Sequence, residues 1–266
     1  MSDAPPPSID PQVPHSARVW NYWLGGKDNY PADRAAGDDV LARIPDIPDG
    51  ARAERAFLVR AVRHLVREAG IRQFLDIGTG LPTMNNTHEI AQSLAPESRI
   101  VYVDNDPLVM MHARALLDST PEGATDYIEA DLRDPETILA QSAATLDFDR
   151  PIGLMLLGVV NHIMDTDESY RVVARLVDAL PPGSHLVLTH STAEIHGEPM
   201  LQVMREMNER GGTPITARGR TEIEGYFRGT ELLEPGVVSC SLWRPEETEV
   251  GTVTEVYLFG GVGRVR

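Results

Sequence analysis

The stretch Phe74-Leu75-Asp76-Ile77-Gly78-Thr79-Gly80 sets an acid and two glycines at the end of a short apolar run. Residues 72–77 are predicted to form a β-strand with Asp76 near its carboxyl end. The glycine turn that follows lets backbone N–H groups approach an anionic or carboxylate-bearing ligand closely. Open α/β sheets bind their ligands in the crevice beyond the carboxyl ends of such strands. The dinucleotide fingerprint Gly-x-Gly-x-x-Gly is excluded, because its last position is Thr83 here.

The pattern Asp-x-Gly-x-Gly, formed by Asp76, Gly78 and Gly80, resembles the first motif of the class I S-adenosylmethionine-dependent methyltransferases. That motif often carries a third glycine two residues later, where this chain has Pro82, so the turn beyond Gly80 must differ. The resemblance implies that Asp76 and the Gly78–Gly80 backbone, including Thr79, hold the amino-acid end of the cofactor. An ordinary turn between a strand and a helix is the alternative explanation.

A second acid stands where this fold requires one. Residues 99–103 form a β-rich run that ends in Asp104-Asn105-Asp106-Pro107, about 20 residues after the glycines. An acid at the tip of the second strand can accept hydrogen bonds from both ribose hydroxyls. Asp104, with Asn105 beside it, is therefore a cofactor-binding candidate. Asp106 is interpreted as a helix N-cap, with Pro107 at the first helical position.

A third acid, Asp131, follows the predicted third strand at residues 126–130. In the methyltransferases that this chain resembles, the acid at this position takes the adenine amino group. The backbone N–H of the next residue, here Leu132, meets the adenine ring. Three acids in order, each at a predicted strand end, are more specific than any one of them. The inferred cofactor is S-adenosylmethionine.

Charge and cysteine content narrow the partners and the compartment. The chain has 266 residues, with 24 Lys and Arg against 40 Asp and Glu and a formal net charge of −16, which opposes binding to nucleic acid. The single cysteine, Cys240, excludes an intramolecular disulfide and suits a reducing compartment. No leader opens the chain, and the longest apolar run, around residues 154–160, is far shorter than a membrane span. We expect a soluble cytoplasmic protein with a small-molecule substrate and no membrane contact, and leave its oligomeric state open.

The segment from Ser16 to Tyr30 holds four aromatic residues and the only lysine of the chain, Lys27. A lone lysine among arginines suits a site that needs an ammonium group rather than a planar fork. The segment therefore supplies candidates for substrate contact or for a lid, namely Trp20, Asn21, Lys27 and Asn29. The alternative is a surface lysine on a helix-ending Gly-Gly loop, with the aromatic residues anchoring the segment to the core.

The same segment, together with residues 76–83, resembles an actinobacterial family of S-adenosyl methyltransferases long catalogued as a domain of unknown function. The resemblance covers nearly the whole chain, including Phe227-x-Gly229 and Glu234-Pro235-Gly236 near its end. It implies the class I fold and the cofactor, and it supplies no substrate.

Three units are predicted along the chain: a disordered tail at 1–14, an N-terminal helical cap at 15–70 and the cofactor-binding core at 71–266. The cap comprises a helix near Trp20 and helices over residues 31–44 and 49–70. It is expected to wall off the methyl donor and to contribute the substrate pocket. The apolar stripe of its last helix runs through Leu58 and Leu65, and the five arginines of that helix are interpreted as its solvated face.

The later strands complete a Rossmann-like α/β fold of the class I methyltransferase type. The continuous apolar run at 151–158 predicts a fourth strand buried on both faces, and residues 185–189 predict the fifth. Residues 236–243 and 252–259 have no helix between them, so they are predicted to pair antiparallel. The expected sheet is seven-stranded and mostly parallel, with an antiparallel last strand, helices on both faces and the N-terminal helical cap.

Catalytic candidates come from the ends of the fourth and fifth strands and from the aromatic segment. The fourth strand end faces the reactive methyl group in class I methyltransferases, so the resemblance favours Asn161 and His162 for substrate contact. A hydroxyl or ammonium acceptor needs a base to take its proton, and the candidates are His162, His190, Tyr22 and Tyr30. A neutral amine needs no base, and the alternative role for His162 is a hydrogen bond to a loop carbonyl. No metal is expected, because methyltransferases that use Mg²⁺ bind it through carboxylates, whereas these positions offer imidazoles.

Two other enzyme classes lack their defining motifs in this sequence. A short-chain reductase needs Tyr-x-x-x-Lys, but Trp23 stands four residues before Lys27. A P-loop kinase needs Gly-Lys-Ser/Thr after a strand, whereas Asp28 follows Lys27 here. A non-catalytic sensor that binds S-adenosylmethionine stays open, because it would share the cofactor motifs. A pocket beside the methyl group that is large enough for an acceptor would favour the enzyme.

Overall fold

A central β-sheet organises the residues that the computed structural model describes, which are 10–82, 85–116, 119–246 and 253–266. Its strands are β1 (Gln73–Ile77), β2 (Arg99–Asp104), β3 (Ala124–Glu129), β4 (Gly153–Leu157), β5 (His185–Ser191), β6 (Thr230–Leu232), β7 (Val238–Ser239) and β8 (Leu258–Val265). The strand order is β3-β2-β1-β4-β5-β8-β6, and β7 also pairs with β8. Strands β1 to β5 run parallel, and β8 runs antiparallel to its neighbours.

The order of the strands creates a crevice next to β1. The chain builds outward from β1 to β2 and β3, and then returns to place β4 on the other side of β1. Ligands bind outside the carboxyl ends of the strands at such a reversal. In the strand register, Asp76 of β1 lies between Tyr102 of β2 and Met155 of β4. The predicted mostly parallel α/β sheet is therefore confirmed, with its first acid at the reversal. The described residues form eight strands rather than the expected seven, because the short β7 also pairs with β8.

Helices cover both faces of this sheet, as predicted. They are α1 (Ser16–Trp23), α2 (Pro31–Leu41), α3 (Ile47–Arg67), α4 (Thr87–Leu94), α5 (Pro107–Leu116), α6 (Pro135–Ser142), α7 (Thr166–Asp178), α8 (Glu198–Glu209) and α9 (Arg220–Gly225). Short 3₁₀ turns lie at Val160–His162 and Cys240–Leu242. In the part of the chain that the structure describes, no helix combines the length and the apolar character needed to cross a bilayer.

Side chains of consecutive strand residues alternate between two apolar layers. Phe74 of β1 packs in the layer that contains Phe57 of α3, and the next residue, Leu75, packs in the layer that contains Leu176 of α7. All four side chains are fully buried. This alternation follows from the two-residue repeat of a strand. Helix α3 therefore shares one hydrophobic layer with the sheet, although it belongs to the predicted cap.

One prediction for the N-terminal region differs from the structure, and another falls partly outside the described residues. The five arginines of α3 do not form one solvated face, because Arg60 donates to the carbonyl oxygen of Cys240 at 2.7 Å and Arg55 donates to that of Asn85 at 2.8 Å. Their long stems cross apolar surface to reach these acceptors. Residues 1–9 of the predicted tail lie outside the described residues, and its later residue Val13 accepts a 2.5 Å bond from Arg18.

The strands at the end of the chain lie elsewhere than predicted. The predicted strand at 252–259 begins in residues outside the described ones, and β8 itself starts at Leu258 and continues to Val265. The predicted strand at 236–243 contains only the two residues of β7 and a 3₁₀ turn. The partner of β8 at the sheet edge is β6, before the Pro235 turn. The first strand of the hairpin was therefore predicted too late in the chain, and the second was predicted too early.

Glycines explain why β8 was not recognised as a strand. Gly260, Gly261 and Gly263 lower the strand propensity of its sequence. The fold nevertheless needs them, because a Cβ on Gly260 would lie 2.5 Å from the carbonyl oxygen of Leu188, and one on Gly263 would lie 2.3 Å from Thr230 Oγ1. Glycine in a strand often marks such a close approach. The run of glycines therefore lets β8 sit between β5 and β6.

We predict that Gly260→Ala lowers the free energy of unfolding by about 1–3 kcal/mol, because the added methyl group overpacks β8 against the β5 backbone. Urea denaturation followed by circular dichroism measures the change. Gly212→Ala is the matched control, since a Cβ there would meet its nearest neighbour at 3.7 Å, and it is expected to leave stability almost unchanged. Equal stability of the two variants would contradict the close approach.

Candidate functional site

A cavity of about 320 Å³ lies at the carboxyl ends of β1, β2, β3 and β4. Residues that follow these four strands form its floor, and residues of α1 and α3 form its other walls. All three predicted acids, Asp76, Asp104 and Asp131, line it. The structure therefore brings together side chains that stand 28 and 27 positions apart in the chain. A smaller cavity adjoins it and is lined by Asp76, Arg55 and Thr87.

The glycine turn after β1 is fixed to the end of β2. Gly78 and Gly80 have φ of +77° and +63°, in the left-handed region that favours glycine. Gly78 donates to the carbonyl oxygen of Val103 at 2.8 Å, and Gly80 donates to Asp104 Oδ2 at 2.9 Å. A Cβ on Gly78 would lie 2.4 Å from Val159. The N–H groups of these two glycines therefore bond to the protein, so the turn offers a ligand its carbonyl oxygens and its close approach.

Asp104 joins this turn to the loop that opens α5. Its Oδ1 accepts a 2.9 Å bond from the backbone N–H of Asp106, while its Oδ2 accepts from Gly80. Burial raises the pKa of Asp104, and the two backbone bonds lower it. Asp106 is the N-cap that the sequence predicted, since its Oδ1 accepts from Leu108 N–H at 2.8 Å. Asn105, between the two acids, is exposed and lines the cavity.

Asp76 is buried, and the structure describes one hydrogen-bond partner for its side chain. The Thr87 hydroxyl at the start of α4 donates to Asp76 Oδ2 at 2.6 Å. Burial raises the pKa of Asp76 to about 6, although the Thr87 bond and the charge of Arg55 lower it. Removing a carboxylate from water costs free energy, so a buried carboxylate at this position indicates a site for a cationic group.

Asp131 and Leu132 close the cavity at the end of β3. The Asp131 side chain is 44% exposed, and its Oδ1 accepts a 2.8 Å bond from the backbone N–H of Arg133. Leu132 is buried and packs in the layer of Leu75. Both residues line the cavity, so a polar acceptor and an apolar surface lie side by side there.

Glu54 and Arg55 of α3 also line this cavity, and the sequence analysis missed both. The Thr189 hydroxyl donates to Glu54 Oε1, and burial raises the pKa of Glu54 to about 7. A signal was available in the sequence. Glu54 stands four residues before Leu58, on the buried stripe of an amphipathic helix, where an unpaired acid is unusual. Arg55 was instead assigned to the solvated face.

His162 is the one predicted base among the five catalytic candidates that lines the cavity, in the part of the chain that the structure describes. Its Nδ1 donates to the carbonyl oxygen of Pro214 at 2.6 Å, as the sequence analysis allowed. Burial lowers the pKa of His162. Because Nδ1 carries the proton of the neutral ring, Nε2 is left as an acceptor.

His190 and Asn161 are buried away from the cavity wall formed by the described residues. Nδ1 of His190 donates to the Ser191 carbonyl oxygen at 2.8 Å, and its Nε2 accepts from Arg218 at 2.7 Å. Burial lowers the pKa of His190 to about 3. Asn161 is 3% exposed, and its Oδ1 has no hydrogen-bond partner among the described residues. Both residues were candidates because each was expected to follow a strand. Side chains alternate along a strand, and this alternation turns the His190 side chain to the face away from the cavity.

Neither candidate tyrosine lines the cavity within the described part of the chain. The Tyr22 hydroxyl donates to Asp38 at 2.6 Å, and this bond is the largest cause that raises the pKa of Tyr22. The Tyr30 ring lies 5.3 Å below the Arg18 guanidinium at the start of α2. Both rings therefore hold α1 and α2 together.

The aromatic segment contributes part of its residues to the cavity. Trp20 and Asn21 line it. Asn21 Oδ1 accepts from the Asp28 N–H at 3.1 Å and from Asn29 Nδ2 at 3.0 Å, so Asn21 and Asn29 shape the loop after α1. Lys27 lies in this loop, is exposed, and stands outside the cavity wall defined by the described residues. Its position matches the alternative of a surface lysine on the Gly-Gly loop.

The described ranges contain no cluster of three or more His, Cys, Asp or Glu side chains that could hold a metal ion. The acids around the cavity are instead each bonded to a backbone N–H group or a hydroxyl.

Known proteins are similar to this chain in sequence and in fold. A family profile described as S-adenosyl methyltransferase matches residues 2–266. The chain is similar to a DUF574 family protein from Streptomyces avermitilis MA-4680, with 46% identity and a TM-score of 0.93 over 97% of this chain and 100% of that chain. It is also similar to a candidate methyltransferase from Thermobifida fusca YX, with 43% identity and a TM-score of 0.89 over 100% of both chains.

A more distant structural similarity links this chain to a named methyltransferase. Human N-acetylserotonin methyltransferase, crystallised with S-adenosylmethionine, matches with 15% identity and a TM-score of 0.50 over 93% of this chain and 66% of that chain. At this identity the likeness concerns the fold alone. A sequence comparison with curated proteins finds no match.

We predict that Glu54 makes the ligand-free protein less stable as the pH rises. Between pH 4.5 and about 7 the folded protein keeps the Glu54 proton that the unfolded chain has lost, so the free energy of unfolding falls with pH. Relative to Glu54→Gln, the wild-type protein should lose up to about 3 kcal/mol across this interval. Urea denaturation at several pH values measures it, with the exposed Glu129→Gln as the surface baseline. Parallel curves for wild type and Glu54→Gln would contradict the burial of this acid.

Proposed function

The chain belongs to the S-adenosyl methyltransferase family, and we propose that it moves the methyl group of S-adenosylmethionine to a small-molecule acceptor held in the described cavity. The family establishes S-adenosylmethionine-dependent methyl transfer. One observation carries the location of the site: Asp76, Asp104 and Asp131, at the ends of three adjacent strands, line one cavity. That cavity continues past β1 to residues after β4, and we place the acceptor there.

The side chains at the nucleoside end fit this cofactor. Asp104 uses one lone pair on each oxygen for a backbone bond, and each oxygen keeps a second one for a ribose hydroxyl. Asp131 offers a partly exposed carboxylate to an amino group, and buried Leu132 offers apolar surface to a ring. We assign the ribose to Asp104, with Asn105 beside it, and the adenine to Asp131 and Leu132.

The amino-acid end of the cofactor carries both charges, and the cavity offers both partners. Asp76 supplies a buried anion next to the left-handed turn at Gly78–Gly80. Arg55 supplies a cation, and it borders Asp76 in the adjoining small cavity. We assign the ammonium group to Asp76 with the carbonyl oxygens of the turn, and the carboxylate to Arg55.

When bound, S-adenosylmethionine supplies a methyl group that its sulfonium centre has already activated. The protein therefore has to position the acceptor in line and to exclude water. Trp20, Leu24 and Leu58 form an apolar wall that serves the second purpose. His162 lines the same cavity and keeps Nε2 as a hydrogen-bond acceptor, so we propose that it contacts the acceptor molecule.

The partners and the compartment follow from charge and composition. A formal net charge of −16 repels a phosphate backbone, so we propose that the acceptor is neither nucleic acid nor a membrane lipid surface. One cysteine, buried at Cys240, suits a reducing cytoplasm. A small metabolite of the cytoplasm is the acceptor class that these properties favour.

The test of the function is a search for the acceptor. Purified protein is incubated with S-adenosylmethionine carrying a labelled methyl group and with ultrafiltered, protein-free extract of actinobacterial cells. We expect S-adenosylhomocysteine to form together with a labelled small molecule that mass spectrometry identifies. Tight binding of S-adenosylmethionine without turnover on any small-molecule fraction would instead support the non-catalytic sensor.

We predict that Asp104→Ala weakens the binding of S-adenosylhomocysteine by about 2–4 kcal/mol, because two charge-assisted hydrogen bonds are lost. Isothermal titration calorimetry measures the affinity. Because Asp104 also holds Gly80, Asp131→Asn provides a second test at a carboxylate whose described bonds reach only Arg133. It should lose about tenfold in affinity, the equivalent of one such bond.

The matched control for both variants is Glu129→Gln, an exposed acid at the end of β3 that does not line the cavity of the described residues. Thermal unfolding verifies that each variant is folded. Unchanged affinity in Asp131→Asn and in a folded Asp104→Ala would overturn the assignment of the nucleoside.

A further inference from the structure

Glu54 is a buried carboxyl that none of the cofactor assignments uses. It lies on α3, is 6% exposed and lines the cavity. The Thr189 hydroxyl donates to Glu54 Oε1, and the same hydroxyl accepts the backbone N–H of Gly158 at 2.9 Å. A Cβ on Gly158 would lie only 3.2 Å from Glu54 Oε1. This chain of bonds fixes the Glu54 carboxylate directly over the residue that follows β4.

The strand order places Glu54 beyond the cofactor residues. Along the sheet β3, β2 and β1 carry Asp131, Asp104 and Asp76 in that order, and β4 and β5 follow beyond β1. Glu54 is bonded to β5 through Thr189 and lies over the end of β4. It therefore lies on the β4 side of the cavity, away from the residues assigned to the nucleoside, and this is where we place the acceptor.

The surroundings of Glu54 are mostly apolar. Leu58, one turn further along α3, lines the same cavity, as do Trp20 and Leu24 from the segment of α1. Arg55, the neighbouring cation, borders Asp76 in the adjoining small cavity, whose described lining residues do not include Glu54. A buried carboxylate in a cavity that also has apolar walls and an indole ring suits an organic cation with a hydrophobic body.

We propose that Glu54 binds the ammonium group of an amine acceptor and takes its proton, with Thr189 as the positioning residue. The proposal rests on the proposed function. The N–H bond breaks and an O–H bond forms on the Glu54 carboxylate, while the electron pair stays on nitrogen. The amine is then neutral and nucleophilic, as methyl transfer to nitrogen requires. Burial raises the pKa of Glu54 to about 7, which suits a group that accepts a proton near neutral pH.

The test compares amines with matched alcohols as ligands of the protein saturated with S-adenosylhomocysteine. The probes are 2-phenylethylamine, tryptamine and octylamine, each paired with the alcohol that carries a hydroxyl in place of its amino group. Affinities are measured by calorimetry. We expect at least one amine to bind about tenfold or more tightly than its alcohol, the range of a hydrogen bond to a charged group. With S-adenosylmethionine, mass spectrometry should detect the N-methyl product of that amine.

Substitutions then assign the preference to Glu54. The nearly isosteric Glu54→Gln should remove the preference for the amine while it changes the affinity for S-adenosylhomocysteine by less than about twofold. Thr189→Val should weaken the preference because the carboxylate loses its hydroxyl donor, and Thr189→Ser should restore it. Glu129→Gln is the control for loss of a surface acid. Because the preference is first measured in the wild-type protein, the proposal can fail even if a variant does not fold.

Three results would overturn the proposal. In the first, no amine binds more tightly than its alcohol. In the second, the amine preference survives in Glu54→Gln. In the third, Glu54→Gln loses as much affinity for S-adenosylhomocysteine as Asp131→Asn does. The last result would move Glu54 to the cofactor. Failure of the wild-type protein to bind S-adenosylhomocysteine would instead refute the site assigned under the proposed function, which keeps the two failures distinct.

Discussion

The two backbone hydrogen bonds that Asp104 accepts are the constraint on which the rest of the site depends. One comes from Gly80 in the turn after β1 and the other from Asp106 at the start of α5, so a single carboxylate joins two adjacent strand ends. Together with the bond from Gly78 to the Val103 carbonyl oxygen, the bond from Gly80 holds the left-handed turn against β2. Because the same carboxylate lines the cavity, the group that organises the backbone is also the group that faces the ligand. Burial of this charge is costly, and the two N–H donors offset part of that cost.

The sheet and the three acids could be predicted because their signals are local. An apolar run, a glycine turn and an acid at the run's end together define a strand tip, and parallel strands bring their tips to one edge. The same local reasoning failed at β8, where the glycines that weaken a strand pattern are required by the close approach of the β5 backbone. Tertiary contact, which is absent from a single sequence, decided that element.

The catalytic candidates show where local reasoning ends. Thr189 and His190 are neighbours in β5, but a strand turns consecutive side chains to opposite faces. Thr189 therefore meets Glu54 beside the cavity, whereas His190 stacks on Tyr226 in the other layer. Glu54 itself stands 22 positions before Asp76, on a helix read only for its apolar stripe. Pairing it with β5 requires the position of α3 on the sheet, which no spacing in the sequence reveals.

A crystal structure of the protein with S-adenosylhomocysteine tests the central claim most directly, since it locates every atom of the nucleoside against the three carboxylates. We predict that both ribose hydroxyls donate to Asp104, that the adenine amino group donates to Asp131 and that the ring packs against Leu132. The Glu54 carboxylate should not contact the ligand. A nucleoside bound elsewhere, or one that leaves Asp104 and Asp131 without contact, would contradict it.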